Sequence, residues 1–265
     1  MFKHLSDKSL HVLLTFLNGI WASSDLPPSW LHSIIVPIPK PKKPSHLPSP
    51  YSPISLTSNV CKLMEKLIVR RAKWYLEYNN KLSCQQSGFR NRRKTIDHIL
   101  RLHDIVQKYL ANNHSVLAVF IDIEKAYDVV RKKVILAKLI NLGINGRMLK
   151  FISFLSNHTF QVRVGSTLSM PKQLDTGTPQ GSILSPLLFT IAINDLPGNI
   201  TSSSAWYADD FCYWKSGSYI EHLFERCQDS LIKVEKWCTN WGFKLSVSKS
   251  AAILLTKKGN QAHFL

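Results

Sequence analysis

Residues 206–211 read Trp-Tyr-Ala-Asp-Asp-Phe, so two adjacent carboxylates lie between apolar side chains. Side chains alternate between the two faces of a strand, and Asp209 and Asp210 can therefore serve one site only at a turn. A strand, a tight turn that carries the Asp-Asp pair, and a second strand over residues 211–214 would meet this condition. Taken alone, such a pair is more often a solvated turn than a metal site.

A third carboxylate, that of Asp122, follows a continuous apolar run at residues 116–121. Such a run is typical of a strand buried on both faces. A carboxylate at its end is costly unless it is paired or bound to a metal. Mg²⁺ prefers oxygen ligands, and two closely spaced Mg²⁺ ions need several carboxylate oxygens. Together with Asp122, the Asp-Asp pair is therefore better interpreted as a metal site.

The rest of the chain mixes helical and strand patterns. Apolar residues recur at spacings of three and four in two segments, as amphipathic helices require. Gln161 to Val164 alternates like a hairpin strand that ends at Gly165, and Ser185 before Pro186 predicts an N-cap and a helix to Ile193. The predicted helices cover residues 60–68, 95–110, 134–142, 185–193 and 220–241. This mixture indicates a layered α+β or α/β domain.

Prolines concentrate in one segment. Nine of the 13 lie between Pro27 and Pro53, and because proline lacks a backbone donor this segment is predicted to be mostly loop or edge strand. Residues 33–36 and 54–56 are its strand-like pieces. Two interpretations stay open, a linker and an extended arm over a ligand channel.

The charge balance favours a polyanionic partner. In 265 residues, 34 Lys and Arg stand against 17 Asp and Glu, which gives a net charge of +17 at pH 7. This excess fits nucleic acid or an acidic membrane face, although a merely basic surface explains it equally well.

Membrane insertion and a cysteine framework are both disfavoured. The apolar run near residues 10–20 is short, is flanked by Lys3 and Lys8, and has no signal-peptide cleavage site after it. The 5 cysteines are an odd number, are widely spaced, and do not have the spacing of a zinc finger. The chain is predicted to be intracellular, in the nucleus or the cytoplasm, with no membrane partner.

Three motifs together resemble the reverse transcriptases of non-LTR (LINE-like, jockey-like) retrotransposons. They are YADD at 207–210, FIDIEKAYD at 120–128 and TGTPQGSILSPLLFTIAINDLP at 176–197. Supporting segments are DLPPSW at 25–30, IIVPIPKPKK at 34–43, YSPISLTSNVCKLMEKLI at 51–68, QQSGFRNRRKT at 85–95 and GFKLSVSKS at 242–250. YADD alone would be a weak signal, but ordered segments from about residue 25 to residue 256 are a strong one.

The resemblance implies an α+β fold of the right-hand polymerase type, in which an antiparallel palm sheet packs on helices. Residues 1–25 would form an N-terminal helical extension and residues 26–265 the reverse transcriptase domain. The fingers would cover about 26–113 and 140–180, and the palm about 114–139 and 181–256. No thumb is expected in the few residues after 256, and no endonuclease before the fingers.

The resemblance also implies a two-ion site that takes Mg²⁺, with Mn²⁺ as a possible substitute. Asp122 and Asp209 would be the chief ligands, Asp210 the third acid, and the carbonyl of Ile123 a further ligand. One ion would activate the primer 3′-hydroxyl while the other holds the triphosphate. Lys249 matches the family's lysine near the triphosphate and would donate a proton to the leaving pyrophosphate.

Nucleotide and template contacts are implied in the same way. Tyr127 matches the aromatic ring that excludes a ribose 2′-hydroxyl and so selects dNTPs, although on the residues alone it could be a core tyrosine. Gln180 and Gly181 would lie beside the templating pair and the incoming nucleotide. Lys40 and Arg90 are further nucleotide-binding candidates, and the predicted contacts to nucleic acid are Arg92, Arg93 and Lys94.

Three functions remain in competition. The first is an RNA-directed DNA polymerase that adds dNTPs to a DNA primer on an RNA template. The second is a weak or inactive relic that binds RNA or RNA–DNA duplex through its basic surface. The third, an RNA-templated RNA polymerase, is disfavoured by Tyr127.

One residue departs from the family pattern at the expected nucleotide site. Where the family usually has Tyr-Arg-Pro-Ile, residues 51–54 read Tyr-Ser-Pro-Ile. The serine lacks the charge and the fork geometry of a guanidinium, and Lys40 and Arg90 would compensate only in part. We predict that Ser52→Arg improves dNTP incorporation, seen as a lower apparent KM for dNTP in primer extension. An unchanged apparent affinity would contradict this prediction.

Overall fold

The computed structural model describes residues 2–39, 51–153, 158–179, 181–200, 202–257 and 259–264. The helices in these ranges are α1 (Asp7–Ser23), α2 (Asn59–Tyr78), α3 (Thr95–Ala111), α4 (Ala126–Val129), α5 (Lys132–Asn141), α6 (Gly146–Ser153), α7 (Ser185–Ile193) and α8 (Ile220–Trp241). The strands are β1 (His32–Pro39), β2 (Tyr51–Leu56), β3 (Ser115–Asp122), β4 (Thr159–Val164), β5 (Thr167–Leu168), β6 (Lys172–Gln173), β7 (Ser203–Tyr207), β8 (Asp210–Gly217), β9 (Ala251–Thr256) and β10 (Gly259–Phe264).

The strands form two sheets. The first sheet has the order β2-β1-β4-β5, with β6 also paired to β4, and the second has the order β10-β9-β3-β8-β7. All neighbours in the second sheet are antiparallel, whereas β1 and β4 of the first run parallel. The coarse prediction of a mixed α+β fold is confirmed.

The strand β3 at the centre of the second sheet is covered on both faces. Leu117, Val119 and Ile121 lie in the main hydrophobic core with residues of α7 and α8. Val116 and Ala118 alternate with them and pack with residues of α3 on the opposite face. The continuous apolar run at 116–121 therefore belongs to a strand buried on both faces, as predicted.

Three of the described prolines lie inside strands, in a segment predicted to be mostly loop or edge strand. Pro37 and Pro39 are in β1, and Pro53 is in β2 opposite Pro37. The pairing of β1 with β4 covers only residues 32–35, so Pro37 and Pro39 lie where β1 has a single partner. A proline is tolerated there because no second neighbour requires its missing donor. The predicted strand pieces are therefore present but longer than expected.

The helix α7 is buried over nearly its whole length, because eight of its residues, including Leu188, are shielded from solvent. It begins at Ser185, but the N-cap position is occupied by Leu184 and not by Ser185 as predicted. The Ser185 hydroxyl instead donates to the Pro179 carbonyl at 2.9 Å and so ties the preceding loop to the helix. This competing hydrogen bond explains the wrong cap assignment.

Other predicted helices match closely. The segments 95–110 and 220–241 correspond to α3 and α8, and 134–142 overlaps α5. The segment 60–68 is the first half of α2, which continues through a more polar stretch to Tyr78. Among the described residues, no helix combines the length and the apolar character that a membrane span requires.

We predict that Leu188→Ala lowers the free energy of unfolding by about 2–5 kcal/mol, because Leu188 is fully buried and its truncation leaves a cavity. Urea unfolding followed by circular dichroism measures the change. Ile232→Ala is the matched control, since Ile232 lies on α8 with 51% of its surface exposed, and should change stability by no more than about 0.5 kcal/mol. Equal effects of the two substitutions would refute the assignment of α7 to the core.

Candidate active site

The end of β3 and the start of β8 bring two of the predicted carboxylates together. Asp122 is the last residue of β3, Asp210 is the first of β8, and they are directly opposed in the antiparallel pairing. Directly opposed residues project from the same face of a sheet, with Cβ atoms about 5 Å apart. The two carboxylates therefore share one face at one end of the second sheet.

A two-residue turn places the third carboxylate at the same end. Tyr207 pairs with Asp210, which leaves Ala208 and Asp209 as the loop between β7 and β8. Ala208 has a φ of 57°, and a positive φ at the first loop position is a property of the turns that suit hairpins. The strand, turn and strand predicted from residues 206–214 are confirmed.

The positive φ of Ala208 is unusual for a residue with a side chain, and neighbouring groups hold the turn in place. The Trp206 indole N–H donates a hydrogen bond to the Ala208 carbonyl. The Gln86 side-chain carbonyl accepts from the backbone N–H of Ala208 at 3.4 Å and from that of Gly88 at 2.6 Å. Gln86 itself is buried, so the fixed position of its amide determines where the turn lies.

Backbone pairing reinforces this contact. The Ser87 N–H donates to the Trp206 carbonyl at 2.8 Å, and the Trp206 N–H donates to the Gln85 carbonyl at 2.8 Å. Residues 85–88, which we call the turn support, thus form a short parallel bridge with β7. The turn support joins the segment after α2 directly to the Asp-Asp turn.

Gly88 is required by the close approach of the two backbones. A Cβ atom on Gly88 would lie 2.8 Å from the Cα of Ala208 and nearer still to its backbone nitrogen. Real Cβ contacts do not occur at such distances, so any other residue must displace either the turn support or the turn.

A lysine lies among the three carboxylates. The Lys249 ammonium donates to Asp122 Oδ2 at 3.0 Å. This hydrogen bond is the main reason that the pKa of Lys249 is raised, and the charges of Asp209 and Asp210 add to the effect. The three carboxylates together therefore create a potential that attracts a cation.

The carboxylates lie beside an apolar cavity of about 470 Å³ between α3 and the second sheet. Asp122, Asp210 and Lys249 line it together with mainly apolar side chains. Burial raises the pKa of Asp210, and the negative charges of Asp209 and Asp122 raise it further, whereas Lys249 lowers it. A nearby positive charge therefore favours the ionised form of Asp210.

The segment before β9 fixes the end of β3. The Asp122 N–H donates to the Ser250 hydroxyl at 3.3 Å, and the Ser246 N–H donates to the Asp122 carbonyl at 2.9 Å. Ile123 forms an isolated bridge with Leu245, and its side chain is buried. The backbone around Asp122 is therefore held on both sides of the carboxylate.

The three carboxylates have the chemistry to bind a divalent cation, but they are not arranged around a common metal position. Carboxylate oxygens are the ligands that Mg²⁺ prefers, and the interaction with Lys249 indicates that the site favours positive charge. Within the described ranges, no three His, Cys, Asp or Glu side chains are arranged to hold a metal ion. Cation binding would therefore require these side chains to rotate and Lys249 to release Asp122.

Tyr127 lies next to this site and against α7. Its ring centroid is 4.7 Å from that of Phe189, and burial together with the charge of Asp209 raises the pKa of its hydroxyl. The Thr178 N–H donates to the Tyr127 carbonyl at 3.0 Å. A Cβ on Gly177 would lie 2.9 Å from that carbonyl, so the loop at residues 177–179 packs directly on the Tyr127 backbone.

The same loop connects to the first sheet. Gly181 has a φ of 120°, and a Cβ there would lie 2.7 Å from the Ser55 carbonyl of β2. The buried Glu65 carboxylate of α2 accepts from the Ser182 hydroxyl at 2.9 Å and from the Ile183 N–H at 2.8 Å. Gln180 and Lys40 lie outside the described residues.

The basic residues predicted to contact nucleotide or nucleic acid differ in their hydrogen-bond partners and in their exposure. The Arg90 guanidinium makes two hydrogen bonds to the Glu77 carboxylate, at 2.7 and 2.5 Å, and others to the carbonyls of Ser83 and Gln86. Its side chain is only 7% exposed, an arrangement that favours bracing of the turn support over contact with a nucleotide. Arg93 donates to the Cys84 carbonyl at 2.6 Å, while Arg92 and Lys94 are exposed.

Some residues that position the carboxylates were not singled out from the sequence. Gln86 and Gly88 lie in the QQSGFR motif, which carries the family resemblance without revealing that it contacts the Asp-Asp turn. Ser250 lies beside Lys249 in the SVSKS motif and supports Asp122. In each case the sequence motif was recognised, but the role of the residue in positioning a carboxylate follows only from its contact in the structure.

The comparison with protein families identifies the type of domain. Residues 38–265 match the model of the family described as reverse transcriptase (RNA-dependent DNA polymerase). The chain belongs to the reverse transcriptase family. The resemblance inferred from its motifs is therefore confirmed, and so is the predicted type of domain, an RNA-directed DNA polymerase domain.

Curated relatives of this reverse transcriptase domain come from mobile elements of Drosophila melanogaster. It is 30% identical over 264 residues to the probable RNA-directed DNA polymerase from transposon BS, with 97% of the chain and 29% of the relative covered. It is 27% identical to the RNA-directed DNA polymerase from mobile element jockey, with 96% and 29% covered. The chain thus spans less than a third of the length of these relatives.

Solved structures support the fold at low sequence identity. Apo telomerase from Candida tropicalis superposes with a TM-score of 0.65 at 11% identity, over 97% of this chain and 51% of the telomerase chain. A C-terminally truncated form gives 0.64 at 12% identity, over 92% and 55%. The reverse transcriptase domain therefore shares its fold with telomerase.

We predict that Gly88→Ala lowers the free energy of unfolding by about 1–3 kcal/mol, because the added methyl group overlaps the backbone of Ala208. Gly198→Ala is the control, since a Cβ at Gly198 meets nothing within 4 Å. Urea unfolding of both variants measures the difference. A Gly88 variant as stable as the Gly198 variant would show that the turn support does not approach the Asp-Asp turn this closely.

Proposed function

We propose that this chain extends a DNA primer on an RNA template by adding dNTPs. The single observation that carries the proposal is the pairing of Asp122 with Asp210 beside the turn that holds Asp209. Family membership and the relatives from mobile elements support it. The second sheet with α7 and α8 would be the palm, covering about 114–139 and 181–256. Residues 26–113 and 140–180 would be the fingers, after a helical extension at 1–25.

The three carboxylates, with the carbonyl of Ile123, would hold two Mg²⁺ ions, for which Mn²⁺ could substitute. When bound, these ions would acidify the primer 3′-hydroxyl and neutralise charge on the triphosphate. Asp122 and Asp209 are the chief ligands in this proposal. Asp210 adds negative charge, and a nearby cation would lower the pKa that burial and the other two carboxylates raise.

The reaction forms one bond and breaks another. The primer 3′-oxygen attacks the α-phosphorus, its proton passes to solvent, and the bond to the bridging oxygen of the β-phosphate breaks to release pyrophosphate. Asp122 holds Lys249 as an ammonium, since their hydrogen bond is the main cause of its raised pKa. Release from Asp122 would remove this effect, so the ammonium group would more readily donate its proton to the leaving pyrophosphate.

Tyr127 would select the sugar. Its ring packs on Phe189 of the buried helix α7, and its backbone is held by the loop that begins at Gly177. A ring fixed in this way resists displacement, so a ribose 2′-hydroxyl that overlaps it would be rejected. Gly181 allows the loop backbone to approach β2 closely, and Gln180 would lie beside the templating pair.

Template and primer would be held through phosphate contacts. Arg92, Arg93 and Lys94 follow the turn support after three intervening residues, and the chain carries a net charge of +17. Such contacts position a strand without reading its sequence. Lys40 remains a candidate for nucleotide binding, whereas Arg90 is assigned to bracing because Glu77 and backbone carbonyls occupy its guanidinium.

A second candidate function is a binding remnant without turnover. It is favoured by Ser52, because the family's usual arginine at this position would contact the triphosphate. The remnant would still bind RNA or RNA–DNA duplex through its basic residues. Primer extension separates the two functions, since only the polymerase lengthens the primer.

We predict Mg²⁺-dependent extension of oligo(dT) on poly(rA) with dTTP, and at least a hundredfold loss of rate in Asp209→Ala, because removal of a chief ligand removes transition-state charge stabilisation. Gel electrophoresis of labelled primer measures extension. Glu225→Ala, an exposed acid on α8, is the control and should extend normally. Retained binding of duplex with no extension by the unaltered chain would favour the remnant.

We predict that Tyr127→Val admits UTP while the unaltered chain rejects it, because the smaller side chain leaves room for the 2′-hydroxyl. The measurement is the ratio of kcat/KM for dTTP to that for UTP in the same assay, which should fall by about tenfold or more. Tyr127→Phe keeps the ring and should keep the ratio. A ratio unchanged in the Val variant would refute the role of Tyr127 in sugar selection.

A further inference from the structure

Two aromatic rings are stacked on the outer face of α2. The ring centroids of Trp74 and Tyr78 are 5.2 Å apart with an interplanar angle of 16°. Trp74 is 64% exposed and Tyr78 is 72% exposed. The inner face of the same helix, including Met64, Ile68 and Ala72, lies in the main core, so the packing of the fold does not account for the exposed pair.

The charges on α2 favour a polyanion at this face. The helix contains five basic residues and two acidic ones. The buried Glu65 binds Ser182 and Ile183 and lies away from this face. Glu77 lines the larger of two grooves on this face, but its carboxylate is paired with Arg90. The basic residues of α2 are Lys62, Lys66, Arg70, Arg71 and Lys73.

Trp74 separates two grooves, and Arg70 lines both of them. The larger groove, of about 820 Å³, is also lined by Lys66, Tyr78 and Asn91. The smaller, of about 500 Å³, extends toward Ile144 and Met148. An aromatic ridge between positively charged grooves is the arrangement with which proteins bind single-stranded nucleic acid, since bases stack on the rings while phosphates follow the charge.

This face is linked to the candidate active site through a short segment. Lys73 donates to the Phe89 carbonyl at 2.7 Å, and Asn91 lines the larger groove. Phe89 directly follows the turn support, which contacts the Asp-Asp turn through Gly88. Exposed Arg92 and Lys94 come next along the chain. A nucleic-acid strand that runs from the three carboxylates along this segment would reach Trp74 and Tyr78.

We infer that the outer face of α2 is a binding site for single-stranded RNA, with unpaired bases stacked on Trp74 and Tyr78 and phosphates held by Lys66 and Arg70; the choice of RNA over DNA rests on the RNA template of the proposed function. A duplex is disfavoured as the occupant, because its bases are already stacked and do not offer their faces to side chains. The site lies outside the carboxylate cluster, and it needs neither dNTP nor metal.

The test measures binding of a fluorescently labelled 12-nucleotide oligo(rU) to the full chain by anisotropy, in EDTA and without dNTP. Trp74→Ala should weaken binding by about tenfold, because one base loses its stacking partner. Trp74→Phe should restore most of the affinity. Tyr219→Ala is the matched control, since Tyr219 is 74% exposed at the start of α8, and should leave the affinity unchanged.

Two further measurements localise the contact. Arg70→Gln should weaken binding and reduce the slope of log affinity against log salt by about one, as loss of one phosphate contact requires. An oligo(rU) that contains 4-thiouridine should crosslink to the tryptic peptide of residues 74–81. An oligo(dT) arm tests whether the site distinguishes RNA from DNA, and equal affinity would overturn the assignment to RNA.

The outcomes separate this site from the proposed polymerase activity. Normal primer extension together with an unchanged affinity in Trp74→Ala would overturn the site and leave the polymerase intact. If the unaltered chain fails to extend the primer but Trp74→Ala lowers the affinity for oligo(rU) tenfold, the site is supported and the polymerase activity is overturned. Crosslinks confined to peptides outside residues 74–81, or equally tight binding of blunt duplex, would also overturn the inference.

Discussion

The register between β3 and β8 is the constraint on which the candidate site depends, because it sets Asp122 opposite Asp210. A shift by one residue would move Asp122 to an offset position and its neighbours to the wrong face of the sheet. The alternating burial of β3 opposes such a shift, since Leu117 and Val119 face one core while Val116 and Ala118 face the other. The hydrophobic pattern of the strand therefore also fixes the position of the carboxylate at its end.

Carboxylates that lie this close repel one another, and the surrounding structure must resist that repulsion. Two separate segments do so. The turn support holds the Asp-Asp turn through Gln86. The segment before β9 holds the backbone of Asp122 and also carries Lys249, which supplies positive charge. Burial raises the pKa of Asp210, and repulsion from Asp209 and Asp122 raises it further, while Lys249 offsets part of this effect. The cluster is thus held together by contacts from segments far apart in the sequence.

The sequence was most informative where local pattern and tertiary structure agree. The apolar run before Asp122 and the periodicity of α3 and α8 predicted their elements closely. The pattern was incomplete where tertiary contacts decide. Ser185 is not a cap because its hydroxyl binds the Pro179 carbonyl. Pro37 lies in a strand where β1 has β2 as its single partner, as the prediction of loop or edge strand allows. Arg90 has the charge for a phosphate contact, and the sequence did not reveal that its guanidinium also pairs with Glu77. No spacing rule reveals Gln86 as a support of the Asp-Asp turn, because its partner is more than one hundred residues away.

The bridge between the turn support and Trp206 also has a consequence for self-association. β7 is the edge strand of the second sheet, and an unpaired edge is a template on which another chain can add a strand. The N–H and the carbonyl of Trp206 are both taken up by Gln85 and Ser87, at the point where the edge passes closest to the carboxylates. Intermolecular β-pairing is blocked at this point. The contact that positions the acidic turn therefore also covers the part of that edge nearest to the carboxylates.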